Sequence, residues 1–143
     1  MDDFVIKLVN WQSHQSELKA IRQQVFIIEQ HIPQELEWDG LDDRATHLLA
    51  LNNANQTVAC ARILPGGIIG RMAVLKQWRN LGVGRAVLSY AVNFCRTQGL
   101  LSIELSAQQH AVGFYSKAGF VVISNEYMDA GIIHYDMRLI ISN

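Results

Sequence analysis

Two prolines and two cysteines are all that the sequence holds of either residue, and each scarcity excludes something. With only Pro33 and Pro65, and with no repeat, low-complexity tract or Ser-rich linker, nothing divides the chain, so residues 1–143 read as one domain. Cys60 and Cys95 form neither a metal-ligand spacing nor a disulfide framework and read as reduced core thiols. No apolar stretch approaches the ~20 residues that a membrane span requires. The opening MDDFVIKLVN is acidic and lacks the basic region and long apolar run of a secretory signal. The expectation is a cytoplasmic protein without membrane attachment. An excess of either charge is missing too. The formal net charge of −1 offers nothing to a phosphate backbone, which argues against nucleic acid as the partner.

What is present is a globular chain, 50% hydrophobic and 17% charged. Phe4–Val9 reads as a strand. Ser13 can cap a helix in which Leu18, Ile21, Val25 and Ile28 recur at spacings of three and four, ending before Pro33. Residues 34–44 carry five acids and read as a loop with one short turn. Residues 46–51 and 57–64 read as strands joined by an Asn-rich hairpin turn, and Gly66-Gly67 turns into a third strand at 68–75. A helix at 82–97 shows one apolar stripe through Val83, Val87, Leu88, Ala91, Val92 and Cys95, closed by Gly99. Residues 101–107 read as a strand, 111–117 as a short helix, and 120–124 and 133–140 as the last two strands. The order β-α-β-β-β-α-β-α-β-β predicts an α/β (α+β) domain, a mixed sheet with helices on its faces.

The informative unit lies in the middle. Strand 68–75 leads through Arg79-Asn80-Leu81-Gly82-Val83-Gly84-Arg85 directly into a helix. A helix start presents unpaired N–H groups and a partial positive charge, and glycines let a phosphate approach the backbone. Together these suit a pyrophosphate, and Arg79 and Arg85 can add charge-assisted contacts. The sequence lacks the Gly-Lys-Ser/Thr of a nucleotide triphosphate loop and the third glycine of a dinucleotide fold. By itself, however, the loop fits a tight turn that binds nothing equally well.

Arg79-x-x-Gly82-x-Gly84, after a strand ending Met72-Ala73-Val74-Leu75, resembles the coenzyme A signature of the GNAT superfamily of N-acetyltransferases. Ala111-Val112-Gly113-Phe114-Tyr115-Ser116-Lys117-Ala118-Gly119-Phe120 is similar to that superfamily's second signature, Ala-x-x-Phe-Tyr-x-x-x-Gly-Phe. The stretches Arg22-x-x-Val25-Phe26-x-x-Glu29-Gln30-x-Ile32-Pro33 and Asp129-Ala130-Gly131-Ile132-x-His134-x-x-Met137 resemble a subgroup of small bacterial GNAT proteins. Ile133 stands where that subgroup usually has proline. The resemblance covers nearly the whole chain. It implies a mostly antiparallel central sheet and an acetyl-CoA donor bound along Met72, Ala73, Val74 and Arg79 to Arg85. The donor's pantetheine arm would lie in a splay between strands 68–75 and 101–107. A dimer is implied by resemblance alone.

Acetyl transfer to an amine requires that the donor be held, the carbonyl polarised, the amine neutral and the leaving thiolate protonated. The resemblance makes Tyr115 the candidate acid, since a phenol with a pKa of ~10 is protonated at neutral pH. Many GNAT enzymes carry a glutamate on the strand before the phosphate loop, but residues 66–74 contain no carboxylate. His134 is therefore the leading base, with an ordinary pKa of ~6.5 suited to proton transfer near neutrality. Glu29 is the second candidate, and His47 and His110 are weaker ones. No cysteine lies within the signatures, so direct attack in a ternary complex is expected, with no metal.

The acceptor, a small-molecule amine or a peptide, draws two opposite clues. Arg22 and Arg71 could hold an anionic group on it, or equally well form an internal salt bridge to Glu29, Asp39 or another acid. The acidic run Glu35, Glu37, Asp39, Asp42 and Asp43 reads first as a solvated loop, and if it rims the site it would instead attract a cationic one. A further reading keeps the donor site and drops the chemistry, as a module that senses coenzyme A or its thioesters.

Overall fold

The computed structural model describes residues 3–141. Eight strands form one sheet in the order β1 (Phe4–Val9), β2 (Thr46–Asn52), β3 (Thr57–Leu64), β4 (Ile68–Val74), β5 (Ser102–Gln108) and β8 (Ile132–Ile140). The short strands β6 (Val121–Val122) and β7 (Tyr127–Asp129) both pair with β8. Every pairing is antiparallel except β4 with β5. The expected strand at 120–124 shrinks to two residues. Strand β7 was not anticipated. It exists because Ala130 and Gly131, with φ of 53° and 77°, make a two-residue turn of the primed type that folds Tyr127–Asp129 back on β8.

Helices cover the two faces unequally. Helix α3 (Val83–Thr97) packs its apolar stripe, including Val87, Leu88, Ala91 and Cys95, on the main core with Leu48, Ala61, Ile103 and Met137. Helix α1 (Trp11–Arg22) covers the other face through Leu18 and Ile21, against Leu49, Cys60 and Ala73. Its cap is Asn10 and not Ser13. The Asn10 Oδ1 accepts from the Ser13 backbone N at 2.8 Å, so Ser13 is already the third residue of the helix. Beyond Arg22 the helix widens into a π-helical stretch, Gln23–Glu29, closed by a Gln30 N to Val25 O bond of 3.1 Å. The wide turn rotates the apolar stripe. Phe26 joins Val25 in the core, and Ile28, expected inside, is 53% exposed. Between Pro33 and β2 lie a helical turn, α2 (Gln34–Glu37), and a 3₁₀ turn at Asp42–Arg44.

Candidate active site

The one parallel pairing opens the site. Strands β4 and β5 are matched only at Ile68 with Glu104 and Ile69 with Leu105, after which they part. The gap is the expected splay, and it belongs to a cleft of ≈ 1290 Å³. Met72, Ala73 and Val74 line it from β4, and Ser106 and Gln108 from β5. Strand β4 also carries a bulge. Cys60 faces Ala73 and Arg62 faces Gly70, so Ala61 opposes both Arg71 and Met72. Arg71 sits there at a φ of 47°, a left-handed conformation that a non-glycine residue rarely adopts.

At the end of the splay the chain turns into α3. Gly82, at φ 84°, is its left-handed cap, and the first helical bond runs from Ala86 N to Gly82 O at 3.1 Å. The N–H groups of Val83, Gly84 and Arg85 therefore have no backbone acceptor. A Cβ on Gly82 would meet nothing within 4 Å, so the space before these donors is open. A Cβ on Gly84 would lie 3.5 Å from the Phe114 ring, on α4 (Val112–Lys117), and 3.6 Å from Val74 Cγ2, so α3 packs here within ordinary contact of β4 and α4. Arg85 and Lys117 line the same end. These residues fit a phosphate-bearing donor with an extended arm.

Arg79 departs from the expectation of a free phosphate ligand. Its Nε donates to Val74 O at 2.9 Å, and its two terminal nitrogens grip the Glu29 carboxylate at 2.6 and 2.8 Å. The second candidate base and a candidate phosphate ligand thus satisfy each other, tying the π-helical stretch to the loop. Hydrogen bonds from Arg79 hold the Glu29 carboxyl below the usual range. A carboxylate so held accepts a proton poorly at neutral pH.

Tyr115 and His134 both line the cleft. The Tyr115 hydroxyl lies 3.9 Å from Met72 Sδ, and its ring meets Phe114 and Phe120 edge-on at 5.1 and 6.0 Å. Burial pushes the phenol up to about 12, so it keeps its proton. His134 is 8% exposed. Its Nδ1 lies 2.8 Å from Ile132 O, and a carbonyl can only accept, so Nδ1 carries a hydrogen, which in the neutral ring leaves the lone pair on Nε2. Tyr127 stacks on the imidazole at 5.9 Å. The Tyr127 hydroxyl donates to Asp136 Oδ1 at 2.5 Å and accepts from the Ser106 hydroxyl. Reciprocal amide bonds of 2.9 and 3.3 Å join Gln30 to Gln108 across the cleft wall. Sequence reading missed Gln108, on β5, because nothing local signals its pairing with Gln30, and it missed Tyr127 and the place of Asp129 in the cleft because it overlooked the β7–β8 hairpin. The only local signal was Asp129-Ala130-Gly131.

Arg22 is corrected outright as an acceptor ligand. It is 1% exposed and does not line the cleft. Its Nε binds Glu37 at 2.7 Å and one Nη binds Asp42 at 2.6 Å, while its guanidinium lies 5.0 Å over the Trp38 ring. Arg71 does reach the cleft, but it contacts Asp39 at 3.1 Å and Glu37 O at 3.0 Å. Its Nε is 3.0 Å from Glu37 Oε2 without the alignment of a hydrogen bond. Arg62, which the sequence did not mark, pairs with Asp39 at 2.9 Å and Asp42 at 3.2 Å. Burial opposes ionisation of Asp39, but the Arg62 and Leu41 hydrogen bonds and the charges of Arg62 and Arg71 outweigh it and hold the carboxyl at about 2. Three guanidiniums and three carboxylates therefore neutralise one another. Both arginines of one clue and three of the five acids of the other belong to one ion cluster, while Glu35 and Asp43 are exposed and outside it. Among the described residues, no three His, Cys, Asp or Glu side chains converge as a metal site.

The comparisons with known proteins agree with the fold. The model of the acetyltransferase (GNAT) domain matches residues 12–141. The chain is 35% identical to the Bacillus subtilis N-acetyltransferase YjcF, over 82% of this chain and 86% of that protein. An acyl-CoA N-acyltransferase structure from Pseudomonas aeruginosa superposes with a TM-score of 0.81 at 30% identity, covering 97% of this chain and 99% of that one. The Escherichia coli ElaA structure gives a TM-score of 0.84 at 29% identity, over 94% and 99% of the two chains.

Proposed function

The chain belongs to the GNAT acetyltransferase family, and we propose that it transfers an acetyl group from acetyl-CoA to a primary amine by direct attack in a ternary complex. One observation carries the reading. A single cleft is lined at once by Gly82 and Gly84 at the start of α3, by Tyr115 and by His134. Acetyl-CoA supplies the activated thioester. Val83, Gly84 and Arg85 N–H groups, with the Arg85 side chain, bind its phosphates. The β4 edge at Met72–Val74 holds the arm. The amine nitrogen bonds to the acetyl carbon as the carbon–sulfur bond breaks. Its proton passes to His134 Nε2, directly or through water, and Tyr115 gives its proton to the departing sulfur. Neither cysteine offers a covalent route. Both are buried, neither lines the cleft, and burial pushes the Cys60 thiol up to about 12. Glu29 serves instead to place Arg79.

The test is thiol release from acetyl-CoA against a panel of amines, with the acetylated product identified by mass. Release that requires an amine and matches its acetylation one to one is the expected result. Tight donor binding with no release for any amine would make the chain a coenzyme A sensor.

A further inference from the structure

The charges on the cleft can be sorted by whether a partner already holds them. Of its basic side chains, Arg62, Arg71 and Arg79 are paired with acids. Arg85 and Lys117 make no ion pair among the described residues, and they sit at the first turn of α3 and the last turn of α4, at the proposed donor end. Of its carboxylates, Glu29 is held by Arg79 and Glu37 by Arg22. Asp129 makes no ion pair among the described residues. The cleft therefore has unmatched positive charge at one end and one unmatched carboxylate at the other.

Asp129 stands beside the proposed base. In the β7–β8 ladder Tyr127 faces His134 and Asp129 faces Ile132, so His134 and Asp129 share one face of the hairpin. Such diagonal neighbours lie about 7 Å apart, a span that a few methylene groups bridge. The second observation is His134 itself. Its side chain is 8% exposed, its Nδ1 is occupied by Ile132 O, and its Nε2 has no partner among the described residues. A nitrogen lone pair and a free carboxylate thus line the same cleft from one hairpin face.

We propose that the acceptor is a small alkyl diamine without a carboxylate. One amine reacts, neutral, at His134, while the other stays an ammonium against Asp129. This rests on the acetyltransferase reading above. A carboxylate on the acceptor would find no unpaired guanidinium at this end, because Arg22 and Arg71 are held by Glu37, Asp39 and Asp42.

The experiment compares kcat/KM for 1,4-diaminobutane and butylamine in the wild type and in Asp129→Asn. It also compares 1,5-diaminopentane with lysine. The readout is the change in the diamine-to-monoamine ratio between the two proteins, which cancels the amines' own ionisation. Because Asp129 is exposed, the wild-type ratio should exceed that of Asp129→Asn by about fivefold, the scale of a solvent-screened ion pair. The difference should shrink with added salt. Diaminopentane should be preferred to lysine. A ratio unchanged by Asp129→Asn, or a preference for lysine or a lysine peptide, overturns the proposal. If no amine supports thiol release, the acetyltransferase reading fails, and calorimetry on the coenzyme A-loaded protein still decides this one. Tighter diamine than butylamine binding, lost in Asp129→Asn, sustains the Asp129 site, and equal affinities refute it.

Discussion

The two ends of the cleft are built from different materials. At the donor end, the chemistry is presented by the main chain: the parted edges of β4 and β5, a left-handed glycine, and the unpaired N–H groups of α3. At the proposed acceptor end, it is presented by side chains brought from far apart: Glu37, Arg62 and Arg71, held in an ion cluster with Arg22 and Asp42 behind the cleft wall, and His134 on a hairpin. A backbone-built site needs glycines at fixed places and so announces itself locally. A site built from side chains depends on who pairs with whom, which spacing along the chain does not encode.

The contrast can be broken most forcefully in the ion cluster. Arg22→Ala would leave Glu37 and Asp42 buried with a partner missing, and should cost about 3–5 kcal/mol of stability. Urea unfolding measures it. A loss below about 1 kcal/mol would mean the cluster is solvated and the acceptor end is less rigid than described. Tyr115→Phe keeps the ring packing and removes the proton. Turnover should fall about 10²-fold or more while donor affinity stays within a few fold. Unchanged turnover would reduce Tyr115 to a core aromatic. Gly82→Val strains a φ of 84° and fills the open space before α3. It should abolish the stabilisation by acetyl-CoA, about 2.7 kcal/mol at a hundredfold excess over Kd. A preserved shift in melting temperature would move the phosphates elsewhere.

The smallest effect is in acid. His47 is 1% exposed and binds Asp42 O at 2.9 Å, and burial lowers its pKa from the ordinary value. The folded protein keeps it neutral while the unfolded chain takes up a proton. Stability is therefore full above the ordinary histidine range near ~6.5 and falls as the pH drops below it. Asp39, held at about 2, adds a second loss that begins near the ordinary carboxylate range and ends near its folded value. Urea midpoints across pH should fall in these two stages, and His47→Asn should remove the first. A single stage in the wild type would contradict the buried neutral imidazole.

How far the sequence could be read follows the same division. The strands, the helices and the α3 loop were legible, because period-2 and helical apolar patterns and Gly82-x-Gly84 are local signals, while the splay was implied only by the family resemblance. The acidic run and the arginines were visible as types, and an internal salt bridge to an acid such as Asp39 stood as an equal reading, but which arginine pairs with which acid was not encoded, and Arg22 is a buried strut rather than a ligand. The π-helical stretch was hidden because Ile28 kept the spacing of an ordinary helix while Phe26 took the core position. Strand β7 was hidden because three residues give too short an alternation.

The division of labour between the two ends is tested most directly by one paired measurement on His134→Ala and the wild type. Acetyl-CoA is titrated into each by calorimetry, and thiol release with the best amine is then measured on the same samples. Donor affinity should be equal within a few fold, because the phosphates and the arm are held by α3 and β4. Turnover should fall by about 10² or more with loss of the base. Weakened donor binding with turnover at saturation intact would contradict the account, placing His134 at the donor and the proton transfer on another group.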